Sequence, residues 1–227
     1  MERSSIVGLA VIALLAGAFV AWYYSAGQNM QSSANKMTFF VTSVNPGEGG
    51  NLRGVAGADN YCQTLAASAG AGGKTWRAYL STQASEGVAV INARDRIGTG
   101  PWVNGNGVII ANNVEELHAS NMINKQAALT EKGGVVNGRG DTPNWHDILT
   151  GSGPDGRAIA TSTDVTCGNW TTSASGSAMV GHHDRMGTSD TEQARSWNSS
   201  HLTRGCSLAE LATTGSGGLL YCFAATE

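Results

Sequence analysis

Residues 6–24 carry no charged side chain and are almost wholly apolar, and this run constrains the rest of the chain more than any other feature. It is long enough to cross the ~30 Å hydrocarbon core of a bilayer as a helix. Arg3 precedes it, and Trp22, Tyr23 and Tyr24 close it with an aromatic cluster suited to a membrane interface. Two readings follow: an uncleaved anchor over residues 1–26, or a signal peptide removed on export. A cleavage site wants small residues, and Tyr24 sits three residues before a cut after Ala26, which favours the anchor. Residues 27–36 are small and polar and read as a linker, leaving residues 37–227 as one domain. Either reading places that domain outside the cytoplasm, in the periplasm or at the cell surface, so the expected membrane contact is the N-terminal helix alone.

Export changes what the cysteines mean. In an oxidising compartment an even number of cysteines favours disulfides over metal ligation or catalysis. Cys62, Cys167, Cys206 and Cys222 include no C-x-x-C pair, so a zinc ribbon has no support, and the sequence leaves three pairings open. Composition agrees with a cross-linked, turn-rich domain: the 227 residues include 31 Gly, only 14% are charged, and 41% are hydrophobic. That apolar content excludes a disordered chain. The glycines follow no G-x-y period, which excludes collagen. A formal net charge of −3 argues against nucleic acid as a partner, since binding it needs a concentrated basic surface.

The pattern of the domain is α+β with few helices. Residues 37–44 (MTFFVTSV) read as the first strand, residues 57–69 as a helix, and residues 75–80 (TWRAYL) as a strand. Short strands are expected at 88–93, 108–111, 158–163 and 169–172, and one or two helical turns at 114–119. Residues 145–149 form a short apolar patch, residues 173–205 read as long loops, and residues 219–224 (LLYCFA) are a strong final strand.

Most motifs carry no chemistry. GSGPDG at 151–156 has the form G-x-G-x-x-G, but Pro154 interrupts it and a β-like segment follows, so it reads as a turn. Gly73-Lys74-Thr75 lacks the earlier glycine of a phosphate loop, and Arg139-Gly140-Asp141 is a polar turn. No G-x-S-x-G and no H-E-x-x-H occur. His146-Asp147 reads as a turn or helix start beside Trp145 rather than as an acid–base pair. The densest polar cluster is His182-His183-Asp184-Arg185, followed by Trp197, Asn198 and His201. Imidazole and carboxylate groups ligate divalent metals or orient one another, but adjacent histidines in a strand point to opposite faces, which weakens a chelate. The cluster reads first as a network ordering a long loop, and its seven residues are the candidate ligand-binding set. No catalytic residue, metal or cofactor is assigned. Trp76, Trp145 and Trp170 are expected in the core, with Trp102 and Trp197 the better candidates for exposure.

Residues 49–82 (GGNLRGVAGADNYCQTLAASAGAGGKTWRAYLST) closely resemble the opening of the endostatin domain of the multiplexin collagens. The shared residues are Gly50, Arg53, Gly54, Gly57, Ala58, Asp59, Cys62, Arg77, Ala78, Leu80 and Ser81. A second block runs from Pro143 and Trp145 through Gly151, Ser152, Pro154, Gly156 and Arg157 to Cys167 and Trp170, and a third holds Cys206 and Leu220-Tyr221-Cys222. The segments GHHDR and SWNSSH also resemble exported bacterial proteins loosely called lectins. The resemblance implies a C-type-lectin-like α+β fold with nested disulfides Cys62–Cys222 and Cys167–Cys206. It does not carry zinc over, because the family's zinc histidines lie at its own N-terminus and the first strand here has none. Heparin-type binding is not carried over either: one arginine of the first block is Ala56, and the net charge is negative. The calcium–sugar signatures of C-type lectins are absent as well. The expected function is a non-enzymatic, membrane-anchored binding module that recognises a glycan or protein ligand through its polar loops. The alternatives are a structural or assembly protein of the cell envelope, and a His/Asp-based or metal-dependent hydrolase.

Overall fold

The computed structural model describes Trp22, residues 36–85 and residues 89–225. Apart from Trp22, the proposed anchor or signal lies outside these residues, as do most of the linker and the first residue of the expected strand at 88–93. Among the described residues no helix is long and apolar enough to cross a membrane.

The last strand organises the domain. β8 (Ser216–Ala224) pairs antiparallel with β1 (Phe39–Val41), Phe40 lying opposite Cys222. It also pairs antiparallel with β2 (Trp76–Ala78) and parallel with β5 (Asp147–Leu149). Strands β6 (Met179–His182) and β7 (His201–Leu202) extend the sheet beyond β5, giving the order β1-β8-β5-β6-β7. A separate hairpin joins β3 (Trp102–Val103) to β4 (Ile109–Ala111).

The sheet is buried on both faces, and strand alternation sorts its side chains. Phe40, Leu220, Cys222 and Ala224 face one core, which also holds Val55, Ala58, Cys62 and Ala66 of α1 (Gly54–Ser68). Phe39, Val41, Leu219, Tyr221 and Phe223 face the other, against Tyr79, Ile97, Trp102, Ile110 and Trp197. An amphipathic helix covers the first face; loops and the small hairpin cover the second. Short helices α2 (Val114–Ala119), α3 (Cys167–Trp170) and α4 (Leu208–Ala212) complete the architecture, α4 closed by a capping box between Ser207 and Glu210.

Three devices fix this arrangement. The nested disulfides Cys62–Cys222 and Cys167–Cys206 tie α1 to β8 and α3 to the segment before α4. Gly50 packs on the inner bridge: a Cβ there would stand 2.5 Å from Cys167 Sγ, so no other residue fits. The third device is Asp59, which is 7% exposed and holds Arg96 in a two-pronged contact at 2.6 and 2.9 Å. It also accepts from Arg77 and from the Ala78 backbone, locking α1 to β2.

The structure corrects several expectations. The helix starts at Gly54 rather than at residue 57, because Arg53 and Gly54 take left-handed backbone angles that turn the chain into it. No strand forms among the described residues of 88–93 or at 158–163, where Ala158 makes only an isolated bridge to Ser152. Residues 169–172 overlap α3, where Cys167, Gly168, Asn169 and Trp170 all have positive φ. The stretch 173–205 contains β6 and β7 as well as loops.

Candidate functional site

Strand register assembles the site. In the antiparallel β5–β6 pair Asp147 lies opposite His182, so both side chains leave the same face of the sheet. In the β6–β7 pair Val180 lies opposite His201, which makes His201 the diagonal neighbour of His182 on that face. His146 directly precedes β5, and its carbonyl accepts from the backbone N–H of His183. The β5–β8 register shifts between Asp147 and Ile148, and Ser216 Oγ donates to the Asp147 carbonyl there. Gly181 permits the close packing behind His182: a Cβ at that position would meet the Trp197 carbonyl oxygen at 1.8 Å.

Three imidazoles converge on one oxygen. Asp147 Oδ1 lies 3.2 Å from His146 Nε2, 3.1 Å from His182 Nε2 and 3.5 Å from His201 Nε2. His182 and His201 approach each other at 3.1 Å through Nε2, and the His146 and His182 rings stack at 4.2 Å. Asp147 is fully buried, yet neither carboxylate oxygen accepts a hydrogen bond of normal geometry. Burial works against its charge, but the adjacent His182 and His201 outweigh that and hold its carboxyl below the usual range. The same carboxylate raises His201 above the ordinary imidazole value.

The opposite edge of each ring faces a backbone carbonyl. His146 Nδ1 lies 3.1 Å from Met186 O, His182 Nδ1 2.7 Å from Ala194 O, and His201 Nδ1 3.1 Å from Leu202 O. A carbonyl only accepts, so each Nδ1 donates its proton outward and Nε2 is the ring atom that faces Asp147.

An open cleft of about 280 Å³ reaches this group. His146, His182 and His201 line it, with Arg139, Thr188, Ser189, Thr191, Gln193, Ser200 and Thr214 as its polar walls. A second cleft of about 310 Å³ lies at the entry to α1, between Glu48, Arg53, Asn60 and Tyr61. It is slightly larger, but it gathers no comparable set of convergent groups.

The seven residues singled out from the sequence divide sharply. His182 and His201 line the cleft. His183 leaves the strand on the other side, as alternation requires; it is fully buried, with Nε2 3.0 Å from the Asn137 carbonyl, and burial lowers its basicity. Asp184 accepts from the backbone N–H groups of Arg139 and Met186 and so caps a loop; its contacts, with His146 nearby, hold its carboxyl far below the usual range despite burial. Arg185 donates to Ile123 O and Asn121 Oδ1, pinning one loop to another. Trp197 is 3% exposed and packs against Tyr79 and Tyr221, and Trp102 is fully buried, so neither offers a face to a ligand. Asn198 is buried and donates to Tyr79 Oη and the Gly153 carbonyl.

Sequence reasoning passed over His146 and Asp147, reading them as a turn. The signal that could have found them is a His-Asp pair at the start of a short apolar strand, where the carboxylate must be buried beside its neighbours.

The family model described as Collagenase NC10 and Endostatin matches residues 39–203, spanning β1 through β7 and one cysteine of each disulfide, Cys62 and Cys167. No curated protein matches the chain. The entry loop with Gly50, the Asp59 anchor and the two disulfides are the structural counterparts of the motifs noted in the sequence. The chain belongs to the endostatin family.

Proposed function

We propose that this protein is a non-enzymatic binding module that takes a polar, hydroxyl-rich ligand, a glycan in the first instance, in the cleft beside β6 and β7. The observation that carries this reading is the lining itself: four hydroxyl side chains of the 188–200 loop, with Gln193 and Arg139, surround the imidazoles of His182 and His201. Such a wall offers donors and acceptors at close spacing, as a sugar requires, on a rigid disulfide-linked scaffold. Membership of the endostatin family supports a binding module. Two disulfides suit an oxidising environment. The apolar run at 6–24 supports an extracytoplasmic protein held at a membrane, with the domain projecting from the tether.

A glycan array probed with the full chain tests this. The expected result is saturable binding to a restricted set of glycans, weakened at least tenfold by Gln193→Ala and by His201→Ala. Binding indifferent to both substitutions contradicts the cleft reading. Cross-linking in intact membranes provides the second arm: one stoichiometric protein partner, with no glycan bound, overturns the glycan assignment in favour of an envelope assembly protein.

A further inference from the structure

We infer that His146, Asp147 and His182 bind one divalent transition-metal ion of the zinc class, with His201 as the outer ligand on the cleft side. The three inner residues offer ligand atoms that all lie within 4.8 Å of one another. Zinc binds imidazole nitrogen and carboxylate oxygen at ~2.0–2.2 Å in a tetrahedron, whose edges are then about 3.3–3.6 Å long. The observed separations of 3.2 Å from His146 to Asp147, 3.1 Å from His182 to Asp147, and 3.1 Å from His182 to His201 already approach those edges.

The orientation of the rings argues for a cation beside the distances. With Nδ1 of all three rings committed to carbonyl oxygens, all three Nε2 atoms converge on one carboxylate oxygen. That carboxylate is fully buried and accepts no well-formed hydrogen bond. A buried charge without well-formed hydrogen bonds is costly, and a dication at the focus satisfies the carboxylate and the ring nitrogens together. The carbonyls behind the rings are the outer contacts that metal-bound histidines characteristically use to fix their orientation, and the Asp184 carboxylate stands 3.5 Å from His146 Nδ1 to reinforce one of them. His201, with its side chain 38% exposed, is the most open of the three rings, and its Nε2 already faces the same oxygen at 3.5 Å. Mixed nitrogen and oxygen donors favour zinc or cobalt over magnesium or calcium, which prefer all-oxygen shells.

The site departs from the expectation that these histidines hold no metal. It stands apart from the glycan reading, since a metal can order the cleft whether or not sugar enters. The test uses full-length protein freed of metal with a chelator and titrated with ZnCl₂ by calorimetry, and with CoCl₂ by visible absorption. One equivalent of zinc is expected, with low-micromolar or tighter affinity, along with intense cobalt bands from a low-coordinate site. His182→Ala should weaken zinc at least a hundredfold, and His201→Ala about tenfold. If His182→Ala does not fold, His201→Ala and the cobalt spectrum decide alone. Absence of saturable zinc binding overturns the assignment, as does binding that both variants leave unchanged. Glycan binding that persists in metal-free protein leaves the proposed function standing and separates the two results.

Discussion

His182 and His201 meet through their Nε2 atoms at 3.1 Å, and yet the two rings have opposite standing in the fold. His182 is 3% exposed, wedged between the Ala194 carbonyl and Asp147, whereas the His201 side chain is 38% exposed at the cleft. His182→Ala removes the donor to the Ala194 carbonyl, and an unmet buried polar group costs about 1–3 kcal/mol. His201→Ala strips a half-open surface and should change stability by no more than about 0.5 kcal/mol. Thermal melts of metal-free protein check the contrast. Equal losses from the two substitutions would mean that His201 is as much a part of the scaffold as His182.

Asp59 predicts a larger effect far from the cleft. Its carboxylate is the counter-ion of Arg96, whose side chain is only 16% exposed. Removing one partner of a buried pair leaves the other charge stranded, typically at about 3–5 kcal/mol. Asp59→Ala should therefore lower the denaturation midpoint strongly, while Glu48→Ala, which breaks the exposed contact to Arg53, should change it little. Urea unfolding of the two variants side by side makes the comparison, and similar midpoints would refute the anchor role.

The disulfides set a third expectation. Their half-cystines are separated by 160 and 39 residues, which in the chain-entropy model corresponds to about 5 and about 4 kcal/mol. Replacing either pair by alanine should lower the melting temperature, and a reductant should do the same to the native protein. A melt unaffected by reductant would show that the bridges contribute nothing to stability.

His118 predicts a pH dependence away from the cleft. Burial chiefly, with Arg94 contributing, holds its basicity below the ordinary imidazole value of 6.5, so the unfolded chain takes up a proton that the folded protein refuses. Its stabilising contribution is present above pH 6.5 and diminishes as the pH falls below that value. The ring sits between Tyr79 Oη at 2.7 Å and the Val114 carbonyl at 2.7 Å, contacts that the neutral form makes. His118→Gln should therefore show a smaller loss of melting temperature between pH 7 and pH 5.5 than the native chain shows. An unchanged difference would locate the acid sensitivity elsewhere.

Legibility in the sequence followed the strength of local signals. The first block was readable because each of its residues has one physical duty: Gly50 makes way for a disulfide, Asp59 binds two arginines, and Cys62 reaches β8. The final strand was readable as well, because burial on both faces makes its run continuously apolar. Strands β6 and β7 were hidden, since Gly181, His182 and His201 are poor strand formers that pairing alone holds extended. Trp197 misled because its Ser- and Asn-rich neighbours suggested exposure, whereas the loop folds its ring inward onto Tyr79. Half of the site was visible as His182 and His201. The other half, His146 and Asp147, comes from a segment 35 positions earlier in register with β6, and no local pattern announces a partner across a sheet.

Anomalous diffraction recorded above and below the zinc absorption edge, from crystals of full-length protein grown with zinc, tests the central claim most directly. The account predicts a single strong anomalous peak about 2.0–2.2 Å from Asp147 Oδ1 and from Nε2 of His146 and His182. A cluster clear of anomalous density, with protons shared between the rings and the carboxylate, would contradict it.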